Sequence, residues 1–189
     1  MKSASLLVTF LSLACIAQSA PDARSTDSHP SNDAQAVISA QFGPQFVLLE
    51  NFPVLTGDFN ADGSEDAVFA AVSRSGLQIE SDRFQVLDPS SDYFGIGDPK
   101  ITAQFSSPYP GGPRYLLIIH GNGKEGWHAK EPKARFVLIN VAFDRLSVGH
   151  VVKKKKTFDD IDIEETGVLS SFLFWNGHRY KWQPGASEM

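Results

Sequence analysis

Four oxygen-bearing side chains, Asp58, Asn60, Asp62 and Asp66, crowd into the nine residues "DFNADGSED" around Gly63. Counted from Asp58 as position one, they stand at positions one, three, five and nine, with Gly63 at six and Ser64 at seven. Calcium is a hard cation that takes about six to eight oxygen ligands, and a tight loop can bring carboxylates, an amide oxygen and a backbone carbonyl to one point. Glycine at position six permits the sharp turn such a loop needs. No lysine or arginine lies inside the loop to neutralise its acids. The spacing therefore predicts a Ca2+ site held by Asp58, Asn60, Asp62, Ser64 through its carbonyl, and Asp66. The competing reading is a solvated acidic turn. An EF-hand is excluded, because position twelve, where that motif has a bidentate glutamate, is Phe69, and a strand-like run follows.

Other residues with chemical capacity form weaker patterns. His120 ends an apolar run and His128 follows eight residues later, so the two could share a site with Asp98 or Glu125. The alternative for each histidine is a structural hydrogen bond, and the same holds for His150 and His178. No G-x-S-x-G elbow and no H-E-x-x-H helix occurs. "GNGKEG", Gly121 to Gly126, matches the spacing of a dinucleotide-binding turn, but "WHAKEP" runs into Pro132 without helical periodicity, so a hairpin loop is expected. The Lys153 to Lys156 run is followed by Asp159, Asp160, Asp162, Glu164 and Glu165, and reads as a solvated strand end.

The elements that must position these residues follow from periodicity. Residues 1–19 have a lysine, an apolar run from Leu6 to Ala17 and small residues at the end, the pattern of a signal peptide cleaved after Ser19. The single cysteine, Cys15, lies inside that segment, so no disulfide is expected in the mature chain, and a lipid anchor at Cys15 is the alternative. Residues 20–31 read as a flexible polar leader. From Asn32 a short amphipathic helix is expected, with Ala34, Val37, Ile38 and Phe42 on one face and Gly43-Pro44 as its stop. Beyond it every periodic segment reads as strand or turn. In "FLFWNGHRYKW", Asn176-Gly177 predicts a two-residue turn that sets Trp175 opposite His178, Leu173 opposite Tyr180 and Ser171 opposite Trp182. Trp175, Tyr180 and Trp182 then close a core or, as the alternative, offer a platform for a glycan. The expectation is a single α+β domain over 32–189, a helix followed by a mainly antiparallel sheet.

"GDFNADGSEDAVFAAV" resembles the calcium loop and following strand of FG-GAP and VCBS repeats, which build β-propellers. The resemblance implies the same five ligands. It covers about eighteen residues, and no second D-x-N-x-D-G occurs, so a full β-propeller is not expected. More loosely, the mature chain resembles small secreted bacterial proteins of unknown function.

Charge bounds the partners. Lys and Arg number 17 against 22 Asp and Glu, giving a formal net charge of −5, and cleavage would remove Lys2 and no acid. Nucleic acid and anionic membranes are disfavoured as partners, and no second apolar run is long enough to cross a bilayer. The expected function is that of a secreted or periplasmic, non-catalytic domain with structural calcium, binding a surface protein or glycan. A small extracytoplasmic hydrolase built on His120 and His128 is the alternative.

Overall fold

The computed structural model describes residues 32–77, 81–96, 112–153, 156–165 and 170–185. The expected signal segment and leader, and Asp98, lie outside the described residues. Two sheets dominate. The first is built from β1 (Phe46–Leu48), β2 (Leu55–Gly57), β3 (Asp66–Ser73), β4 (Gln85–Leu87), β5 (Arg114–His120) and β6 (Ala134–Leu138). Its order is β1-β3-β5-β6-β4, and β2 also pairs with β3. The second sheet runs β10-β9-β8-β7, from β7 (Arg145–Lys153), β8 (Lys156–Glu164), β9 (Ser170–Trp175) and β10 (Tyr180–Pro184). Pairing is antiparallel throughout except between β4 and β6. Among the described residues neither sheet closes into a barrel.

Residue pattern explains which sheet lies inside. β3 reads "DAVFAAVS" and β5 "RYLLIIH", almost continuously apolar, because the first sheet is buried on both faces. On one face Val68, Ala70, Leu116, Ile118, Phe136 and Leu138 meet Leu146, Ile161, Ile163, Leu173 and Tyr180 of the second sheet. On the other, Ala67, Phe69, Tyr115, Leu117 and Ile119 pack with Ala34, Ile38 and Phe42, from and just beyond helix α1 (Asn32–Gln41). The second sheet covers the first with one face only. Accordingly β8 alternates, with Ile161 and Ile163 inward and Asp160 and Asp162 on the opposite side.

Three local features add to or depart from the sequence reading. A short helix α2 (Pro89–Tyr93) follows β4, capped by Asp88, whose side chain accepts from Ser91 N, with proline in its first turn. The β5–β6 connection is the expected hairpin loop, and between Gly123 and His128 it carries 3₁₀ turns broken by a kink at Gly126. In the last hairpin Tyr180 pairs with Trp175, Lys181 with Phe174 and Trp182 with Leu173. The turn therefore spans Asn176 to Arg179 rather than two residues. Asn176 causes the difference: its Oδ1 accepts from both His178 N and Arg179 N at 2.9 Å, and its own N–H reaches Arg179 O. The register moves by two, an even number, so each side chain keeps the face that alternation assigned to it. Arg179 and Lys181 pair with Asp92 of α2. Among the described residues, no helix is long and apolar enough to cross a membrane.

Candidate metal loop and its surroundings

The acidic loop joins β2 to β3 and is shaped by its own side chains. Asp58 accepts from Asp62 N and Gly63 N at 2.9 Å, Asn60 Oδ1 from Asp62 N at 2.9 Å, and Asp62 Oδ1 from Ser64 N at 2.9 Å. Gly63 has φ of +82°, a conformation that glycine adopts without strain. These bonds turn Asp58, Asn60 and Asp62 toward the loop's own backbone.

Asp66, the first residue of β3, is fully buried. Its carboxylate accepts from Gly121 N at 2.8 Å and Asn60 N at 3.2 Å. Burial, reinforced by the charges of Asp62 and Asp58, pushes its pKa up to about 7. Among the described residues no lysine or arginine pairs with it.

A cation does reach the loop, from outside it. Lys133, just before β6, places Nζ 2.9 Å from Asp62 Oδ2 and 2.9 Å from Ser64 Oγ. Hydrogen bonds from Lys133 and from the loop hold the Asp62 carboxyl below the usual range, against a desolvation effect that raises it. Sequence reasoning missed Lys133, because nothing in the spacing of a loop at 58–66 indicates which distant lysine will fold onto it.

Two further contacts fix the loop in the molecule. Asp159 of β8 accepts from Asp58 N at 2.8 Å and pairs with His150 Nδ1 at 2.8 Å. A Cβ on Gly57 would stand 2.7 Å from Asp159 Oδ2, so glycine leaves room for that bond. The glycines of "GNGKEG" also find their reason here. A Cβ on Gly121 would overlap the Glu65 carbonyl oxygen, and one on Gly126 would stand 2.9 Å from it. They allow the β5–β6 connection to lie against the acidic loop.

The structure separates the two histidines. His120 is buried on the face shared with the second sheet, its Nε2 2.8 Å from Tyr180 Oη and its ring against Trp175 and Phe136. Burial pulls its pKa down to about 4, so it is neutral at pH 7. His128 is exposed, stacked on Trp127, with Nε2 3.0 Å from Asp33. Trp127 packs into the cluster on the opposite face of the first sheet. Glu125 is exposed between them. Of the aromatic face, Tyr180 is wholly inside, Trp175 packs against the core, and Trp182 is covered by Tyr93 and Phe94.

The donors fit calcium in kind: oxygen only, three carboxylates, one amide and a carbonyl. Among the described residues, however, no three acidic, histidine or cysteine side chains converge as a ready metal-holding group. The Lys133 ammonium already sits on Asp62, so metal entry requires Asp62 to exchange that partner. Comparison of this chain with protein-family models, with curated proteins and with solved structures finds no match.

Proposed function

We propose that the chain is a calcium-binding, non-catalytic domain that works outside the cytoplasm by holding a protein or glycan partner, with calcium in a structural role. Asp66 carries this reading: a fully buried carboxylate at the head of a core strand, beside two further carboxylates and, among the described residues, without a cationic side chain of its own. Such a group is costly to bury as an anion unless a cation compensates it. Asp58, Asn60, Asp62, Asp66 and the Ser64 carbonyl would hold the ion, whose charge would neutralise the acids and tie the β2–β3 loop together. The separation of His120 from His128 weighs against a hydrolase centred on them.

Calorimetric titration tests the metal. Calcium that binds the folded loop alone raises stability by RT ln(1 + [L]/Kd), about 2.7 kcal/mol at a hundredfold excess over Kd. The thermal midpoint should rise with millimolar calcium and fall with chelator, with magnesium acting weakly because it demands compact octahedral geometry. Asp62→Ala should abolish the calcium response, whereas Glu65→Ala, at the exposed eighth position, should leave it intact. Absence of heat at several millimolar calcium, with a midpoint indifferent to chelator, would return the loop to a lysine-capped turn.

A further inference from the structure

At the end of the second sheet, where β8 runs on beyond its pairing with β9, lies a cavity of about 530 Å³. Aromatic rings dominate its wall: Phe59, Phe158, Phe172, Phe174 and Trp175. Its polar lining includes Asp159 and Asp160. Asp159 is committed on both oxygens, to Asp58 N and to His150. Asp160 differs. It is 3 % exposed, and its Oδ1 is a buried side-chain oxygen with no hydrogen-bond partner among the described residues. That oxygen lies over Gly149, where a Cβ would collide with it and with the neighbouring Asp162 carboxylate. No lysine or arginine lines the cavity among the described residues.

Buried polar atoms are almost always paired, and an orphaned carboxylate oxygen costs stability that a neutral residue at 160 would avoid. A ligand completes the arrangement if it brings a positive charge and hydrogen-bond donors to Asp160 and an apolar surface to the rings. Aromatic faces themselves attract cations, the more strongly the better the pair is shielded from water. The geometry points to a binding site for an organic ammonium group on a hydrocarbon stem, with Asp160 as its anionic partner and Phe158, Phe172, Phe174 and Trp175 enclosing the stem. This site does not depend on metal in the β2–β3 loop, although Phe59 and Asn60 of that loop contribute to its wall.

The test is calorimetric titration of the full chain with n-butylammonium and with Nα-acetyl-lysine methylamide, in chelator and again in calcium, with n-butanol as the uncharged counterpart. Saturable binding of either amine is expected, with a shift of the Trp175 indole resonance and no response to butanol. The tighter of the two amines identifies the source as a free amine or as a lysine carried by a partner. Asp160→Asn should weaken binding at least tenfold without lowering the thermal midpoint at pH 7.5, since it removes a buried unpaired charge. Phe174→Ala should weaken it severalfold. Equal binding of butanol, full affinity in the Asp160→Asn protein, or no binding of either amine in both media would overturn the assignment. Failure of the calcium titration alone leaves these readouts unchanged and so counts against the metal and not against the cavity.

Discussion

Asp62 is claimed by two cations, the Lys133 ammonium at 2.9 Å and the metal that the loop's spacing predicts. On the proposed reading the two would be mutually exclusive at its outer oxygen, and the lysine would act as a competitor that lowers apparent calcium affinity. Both partners of the ion pair are partly exposed, 40 % for Lys133 and 28 % for Asp62, and pairs of this kind contribute about 0–1 kcal/mol. Lys133→Met should therefore tighten calcium up to about fivefold in a calorimetric titration, while slightly lowering the midpoint in chelator. Weaker calcium binding in that variant would mean that Lys133 positions Asp62 for the metal. At this scale the sequence was legible where chemistry is local. Asp58, Asn60, Asp62 and Asp66 lie within nine residues, and the hydrogen bonds that shape the loop are equally short-range. Lys133 and the Gly121 N–H that meets Asp66 come from far along the chain, and no local pattern encodes them.

The last hairpin shows what alternation can and cannot specify among elements. Period-two patterning put Leu173, Trp175, Tyr180 and Trp182 on one face, and they are on one face. Partner identity depends on the turn, and there the Asn176 side chain, bonded to two backbone N–H groups, outcompetes the two-residue turn suggested by Asn-Gly. Asn176→Ala removes both bonds at an exposed site, and should cost about 1–3 kcal/mol of unfolding free energy in a urea titration, at roughly 0.5–1.5 kcal/mol per bond. Asn176→Asp, which keeps both acceptors, should recover most of it. No difference between the two variants would show that the turn is fixed by strand packing alone. Elsewhere the strands were readable from burial logic: continuous apolar runs in β3 and β5 mark a sheet covered on both faces, and alternation in β8 marks one covered once. Helix α2 was not readable by period, since five residues give too short a pattern, although Asp88-Pro89 carried its start signal.

Across the whole molecule, the acidic loop and His120 each provide a polar link between sheets whose shared core is apolar. Asp159 reaches Asp58 N from the second sheet, and Tyr180 reaches His120 of the first. The second link has a definite pH signature. His120 is held at about 4 in the folded protein against an ordinary value of 6.5, so the unfolded chain binds the extra proton between those limits. Stability from this group is then fully present above pH 6.5 and is lost as pH falls toward 4. The slope approaches about 1.4 kcal/mol per pH unit, giving a loss of about 2 kcal/mol between pH 6.5 and 5. Asp66 runs the other way, because its raised pKa makes the folded chain the stronger proton binder below about 7. The two are separated by difference. His120→Phe keeps an aromatic ring beside Trp175 and Phe136 and leaves Tyr180 Oη without its partner, a cost of about 1–3 kcal/mol that does not vary with pH. Urea midpoints of both proteins, measured in chelator at pH 7.5 and pH 5, should show the wild type losing about 2 kcal/mol of its advantage over the variant at the lower pH. A wild-type advantage that is the same at both values would mean that His120 takes up its proton inside the fold, and that the contact with Tyr180 does not hold the sheets together through a neutral imidazole.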